Sequence, residues 1–164
     1  RAAPGNAHRS PGARNAGGLP ERTARATVSS KNGCRILLVD DNVDGVEALA
    51  LLLGECGHRV EAVHDPAAAL QIVGRFKPEI AVVDIGLPVM DGYELIGSLR
   101  TMLGARRCMF IALTGYGQDT DRSRSRAAGF DHHLVKPVDL AHLTRLIDAF
   151  QAEKAQSEVH SDSR

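Results

Sequence analysis

The sequence predicts an α/β fold, a doubly wound five-stranded parallel sheet with helices on both faces. Three observations carry this expectation. Five short aliphatic runs alternate with segments whose apolar residues recur at helical spacing. The runs are apolar on consecutive residues, as strands covered on both faces are. Right-handed crossovers between such strands place helices on both sides of the sheet.

Order is expected to begin near Cys34. Arg35-Ile36-Leu37-Leu38-Val39 is the first strand and ends in Asp40-Asp41. Val46, Leu49, Ala50 and Leu53 recur at i, i+3, i+4 and i+7 and form one face of a helix, with Gly57 as its stop. Arg59 to Val63 is the second strand. Asp65 caps the next helix, Pro66 takes its first position, and the helix runs to about Phe76. Glu79 to Val83 is the third strand, ending at Asp84. Asp91 caps a helix in which Leu95, Leu99 and Met102 share a face. Cys108 to Leu113 is the fourth strand, ending at Thr114, and a polar, weakly helical stretch covers Asp119 to Ala128. Phe130 to Val135 is the fifth strand, followed by Lys136-Pro137. Asp139 starts a last helix through about Ala152, with Leu140, Leu143, Ile147 and Phe150 facing inward.

Residues 1–33 differ in kind. Leu19 and Val28 are their only larger aliphatics, too few to offset the entropy of ordering. Arg1, Arg9, Arg14, Arg22, Arg25 and Lys31 against Glu21 give this segment +5, so residues 34–164 carry −5 in a chain of zero net charge. The expected organisation is a disordered basic linker or tail over 1–33, a folded domain over 34–152, and a polar tail over 153–164. A mildly acidic body gives no case for nucleic-acid binding. No apolar run reaches the roughly 18–20 residues of a membrane span. Cys34, Cys56 and Cys108 form no C-x-x-C pair and read as free thiols of a cytoplasmic protein.

The chemistry collects where the strands end. Asp40, Asp41, Asp84, Thr114 and Lys136 all fall at the carboxyl ends of strands, where open α/β sheets place their functional crevice. Any one of these aspartates could be a helix cap or turn residue. Together they form an acidic pocket with one hydroxyl and one ammonium. Clustered carboxylates repel, and a hard divalent cation with oxygen ligands, Mg²⁺, compensates them. Such a pocket lets a carboxylate attack a phosphoryl group while a lysine and a hydroxyl absorb its charge. His132 and His133 adjoin on a strand and point to opposite faces, so they do not grip one ion. Arg122, Arg124 and Arg126 read as a solvated helix face or a partner surface.

Here the chain resembles a known family, the receiver domains of two-component response regulators, which have a flavodoxin-like fold. The resemblance rests on Asp40-Asp41, on the run Val82-Val83-Asp84-Ile85-Gly86-Leu87-Pro88-Val89-Met90-Asp91-Gly92, on Ala112-Leu113-Thr114-Gly115 and on Lys136-Pro137. It covers roughly residues 34–152. It implies that Asp84 is the phosphoacceptor. It implies Mg²⁺ held by Asp41, the Asp84 side chain and the Gly86 carbonyl, with Asp40 acting through water. Lys136 would pair with Asp84 or a phosphoryl oxygen, across a cis Lys136-Pro137 bond. Thr114 would move toward the phosphoryl group, and the position three before Lys136 would read that movement. That position is His133 here, where family members often carry Tyr or Phe.

The resemblance implies a sensor histidine kinase or histidine phosphotransfer protein as phosphodonor, and a downstream partner at the face of the fourth helix and fifth strand. The domain would catalyse only its own phosphorylation and dephosphorylation. The non-Met start and the linker-like residues 1–33 favour the terminal receiver of a hybrid histidine kinase, a parent protein compatible with membrane anchoring, over a stand-alone regulator. Two alternatives stand beside it. A haloacid-dehalogenase-type phosphatase needs Asp-x-Asp on its first strand, but Asn42 and Val43 follow Asp40 and Asp41 at that spacing. A non-phosphorylated interaction module would be expected to have lost one of the pocket residues.

Overall fold

A computed structural model describes residues 33–115 and 122–161. Each aliphatic run forms a strand: β1 (Arg35–Val39), β2 (Arg59–Val63), β3 (Ile80–Asp84), β4 (Met109–Thr114) and β5 (His132–Val135). They pair in parallel in the order β2-β1-β3-β4-β5. Between and after them lie α1 (Val43–Glu55), α2 (Pro66–Phe76), α3 (Gly92–Leu103), α4 (Arg122–Ala128) and α5 (Leu140–Ser161). The doubly wound architecture is the one the sequence predicts.

Alternation along the strands divides the interior in two. Leu37, Val39, Ala81, Val83, Phe110 and Ala112 face one layer, with Ala69, Ile72, Val73 and Phe76 of α2 and Leu95, Ile96, Leu99 and Leu103 of α3. Ile36, Leu38, Ile80, Val82, Met109, Ile111 and Leu113 face the other, with Val46 and Leu53 of α1 and Leu143, Ile147 and Phe150 of α5. Burial on both faces explains why these strands lack polar alternation.

Local chemistry sets the helix ends. Asn42 caps α1, Asp65 caps α2 and Asp91 caps α3, each accepting from the backbone N–H three residues on. Gly57 follows α1 at φ +93°, where glycine is unstrained. Lys77 ends α2 in a left-handed turn at φ +52°.

Three expectations need correction. Met102 does not join the core and is half exposed, because Ile96 and Leu103 complete the inner face of α3 instead. Residues 153–161 are not a tail but continue α5. Glu153 pairs with Arg107, and Lys154 pairs with Glu79 at the foot of β3, and these ionic contacts extend a helix whose apolar residues there, Ala155 and Val159, are exposed. The fifth strand starts at His132, not Phe130. The Asp131 carboxylate and backbone N–H bond to Phe110 and tie off the chain just before the strand. Asp119 lies outside the described residues.

Candidate phosphoacceptor site

The sheet reverses its winding between β1 and β3, and such a switch point opens a crevice at the carboxyl ends of the strands. β1 delivers Asp40 and Asp41 to that crevice, and β3 delivers Asp84. Their carboxylate oxygens lie within 4.8 Å of one another. Asp40 and Asp84 are each only 6% exposed, whereas Asp41 is open to solvent.

The two buried aspartates are held alike. Asp40 Oδ1 accepts from the Asn42 backbone N–H at 2.9 Å, and Asp84 Oδ1 accepts from the Gly86 N–H at 2.8 Å. These are short Asx-type turns that fix each carboxylate against its own chain. The remaining oxygens face Lys136, whose Nζ lies 2.7 Å from Asp40 Oδ2 and 2.8 Å from Asp84 Oδ2. Burial alone would lower the Lys136 pKa. The two carboxylates outweigh it and hold the ammonium above its ordinary value. The Lys136-Pro137 peptide bond is cis.

The loop after Asp84 is equally defined. Gly92 donates to the Ile85 carbonyl at 3.2 Å. A Cβ at Gly92 would stand 2.7 Å from the Asp84 carbonyl oxygen and from Ile85 Cα, so this contact needs glycine. Met90 N–H reaches the Pro88 carbonyl at 2.9 Å, closing a three-residue turn around Val89 at φ +72°. Val89 is fully exposed there.

Thr114 ends β4 almost wholly buried, and its hydroxyl donates to the Leu134 carbonyl at 3.5 Å. His133 is half-buried on β5, opposite Ala112, while its neighbour His132 is exposed on the other face. Gly86 is exposed at the rim. Every pocket and switch residue expected from the sequence is thus described. Asp40, Asp41, Asp84 and Lys136 meet directly, and Thr114 lies one strand away. The Asp40–Lys136 pair was not anticipated, since sequence spacing alone does not say which of two carboxylates a lysine reaches. Beside Lys136, an apolar cleft of about 490 Å³ runs between α1 and the start of α5, lined by Val46, Leu49, Leu52, Pro137, Val138 and Leu140.

An acidic pocket with an internal lysine, set at the switch point of a doubly wound sheet, defines a class of signalling domain. Residues 36–148 match the response regulator receiver domain family, and the chain belongs to that family. It is a receiver domain of two-component signalling. It is 36% identical over 115 residues to the two-component response regulator PhoP of Pseudomonas aeruginosa, covering 70% of this chain and 50% of that protein. It is 30% identical over 142 residues to the virulence sensor protein BvgS of Bordetella bronchiseptica, covering 83% of this chain and 12% of that protein. The chain therefore spans half of one relative and a small part of the other. Among solved structures, the receiver domain of sensor histidine kinase PA1611 from P. aeruginosa is 32% identical at a TM-score of 0.64, over 73% of this chain and 98% of that one. That domain is described with a magnesium ion in its active-site cleft. A CheY-like receiver from Methanospirillum hungatei is 27% identical at a TM-score of 0.68, over 76% of this chain and 98% of that one. Among the described residues no helix is long and apolar enough to cross a membrane.

Proposed function

We propose that this receiver accepts a phosphoryl group from a partner phosphohistidine onto Asp84. The observation that carries the proposal is the double contact of Lys136 with the buried carboxylates of Asp40 and Asp84. It places a cation at the one aspartate that closes the central strand. In the transfer the phosphorus–nitrogen bond of the donor breaks and a bond from an Asp84 carboxylate oxygen forms, in line with the leaving imidazole. Lys136 then balances charge on the phosphoryl oxygens. Thr114 leaves the Leu134 carbonyl to donate to them, and His133 beside it reads the change.

The oxygen-rich donor set fits a hard divalent ion, and the three clustered carboxylates exceed what one ammonium neutralises. Asp41 and Asp84, with the Gly86 carbonyl, would hold Mg²⁺ directly, and Asp40 would support it through water. When bound, the ion supplies charge stabilisation to the transferring group. The PA1611 receiver, with magnesium in its cleft, supports this reading.

The receiver body runs from residue 34 to the end of α5 at Ser161. The phosphodonor is a sensor histidine kinase or histidine phosphotransfer protein, and the output partner binds the face of α4 and β5. The domain works in the cytoplasm as the receiver of a hybrid sensor kinase. The match to BvgS, which covers more of this chain than the match to PhoP, favours that context.

The test is incubation with acetyl phosphate and Mg²⁺, read by intact mass. Wild type gains one adduct of about 80 Da, and Asp84→Asn and chelated samples gain none. A stable adduct on Asp84→Asn would place the acceptor elsewhere.

A further inference from the structure

We propose that Tyr93 is the positioning residue that transmits the state of the Asp84 loop to α4. The inference rests on the phosphoacceptor reading above, and it concerns a route separate from Thr114 and His133.

The route begins at the base of α3. Gly92 sits on the Asp84–Ile85 backbone so tightly that no Cβ fits between them. A shift of that backbone therefore moves the first turn of α3. Tyr93 is the next residue, and its side chain meets Arg124 and Ser125 of α4 and Phe130 just beyond it. Its hydroxyl lies 3.3 Å from Ser125 Oγ. Its ring face lies 4.5 Å under the Arg124 guanidinium. Its ring meets Phe130 edge to face at 6.0 Å. Asp91, the α3 cap, faces Arg124 from the other side at 3.6 Å.

α4 itself puts little apolar surface against the core, with Ala128 half-buried on it. Ser125 alone is buried among its described side chains. Its sequence, Arg122-Ser123-Arg124-Ser125-Arg126-Ala127-Ala128, offers no apolar stripe for docking. The helix is positioned by what α3 extends to it: Tyr93 and Asp91 at Arg124 and Ser125, and Arg100 at the Gly129 carbonyl just past its end. A short helix held by a few side chains of its neighbour adopts a second position when they move, because the packed core beneath it does not deform smoothly. The chain carries His133 where family members often carry Tyr or Phe, and Tyr93 supplies an aromatic ring that joins the Gly92 end of α3 to α4.

Spatial intermediacy becomes coupling only when both ends bias one two-state element, so the experiment measures that bias. Hydrogen–deuterium exchange over residues 122–129 is followed with and without phosphorylation by acetyl phosphate, on wild type, Tyr93→Phe, Tyr93→Leu and Ser125→Ala. Intact mass is read on the same samples. In wild type, phosphorylation changes exchange in α4 by roughly 5-fold or more, as allosteric couplings do. In Tyr93→Leu the adduct forms at the wild-type rate, but the exchange ratio between states falls below about 2-fold. Tyr93→Phe and Ser125→Ala, which remove one hydrogen bond and keep the ring, give equal intermediate ratios. A purely structural role would raise exchange equally in both states and leave the ratio intact, and that result overturns the proposal. A full wild-type ratio in Tyr93→Leu overturns it as well. Absence of any adduct on wild type instead removes the phosphoacceptor reading, and this proposal with it.

Discussion

Asp84→Asn is expected to make the metal-free protein more stable while abolishing its phosphorylation. Asp84 repels Asp40 and Asp41, whose oxygens lie no more than 4.8 Å away. At an effective dielectric constant near 20, each repulsion is at least about 3.5 kcal/mol. Lys136 at 2.8 Å returns about 6 kcal/mol on the same scale. The two repulsions exceed the one attraction by about 1 kcal/mol, and the desolvation of a carboxylate that is 6% exposed adds to the excess. Asparagine keeps an oxygen for the Gly86 N–H and removes the charge. Urea unfolding in chelator at pH 7 should show Asp84→Asn stabilised by at least about 1 kcal/mol, or roughly 0.5 M in midpoint. Saturating Mg²⁺ should stabilise wild type more than the variant and narrow the gap. A variant equal to or less stable than wild type in chelator would refute a net repulsive pocket.

Other consequences follow from groups outside the pocket. Burial would raise the Glu79 carboxyl, but the Lys154 ammonium, the Arg35 backbone N–H and the Arg35 guanidinium hold it below its ordinary value. A lowered acid contributes stability above the ordinary carboxylate range and loses it as the pH falls through the lowered value. Glu79→Gln should therefore cost roughly 1–3 kcal/mol at pH 7 and less near pH 3, and equal losses at both would contradict the ionic tether. Val89 sits at φ +72°, which costs a β-branched residue about 1–2 kcal/mol. Val89→Gly relieves that strain against roughly 0.5–1 kcal/mol of chain entropy, so its melting temperature should rise slightly, and a fall would count against strain. Burial pushes the Cys108 thiol up to about 12, burial likewise raises Cys34, and Cys56 is exposed. Iodoacetamide at pH 8 should alkylate Cys56 first, and fast labelling mapped to Cys108 would overturn this order.

The elements most legible in the sequence were those with local punctuation. Asp65-Pro66 marks the start of α2, and the residues of β2 and α2 coincide with their predicted bounds. The core strands were legible because burial on both faces leaves unbroken aliphatic runs. The end of α5 was not, because Glu153 and Lys154 are held by Arg107 and Glu79, which lie 46 and 75 residues away in the chain. Composition alone cannot distinguish a helix stabilised by remote charges from a solvated tail. The pocket was legible because strand ends converge by topology. The partners of Lys136 and the clamp on α4 were not, since both depend on which way long side chains turn after folding.

The sheet also bears on how this domain can change over evolutionary time. It separates two apolar compartments that share backbone but not side-chain neighbours. Substitutions in contact tend to be coupled, whereas those without shared partners add independently. Residues under α1 and α5 can thus be exchanged without refitting those under α2 and α3. A surface that meets one protein and a surface that meets another can then drift at separate rates, provided the rim of aspartates between them stays in place.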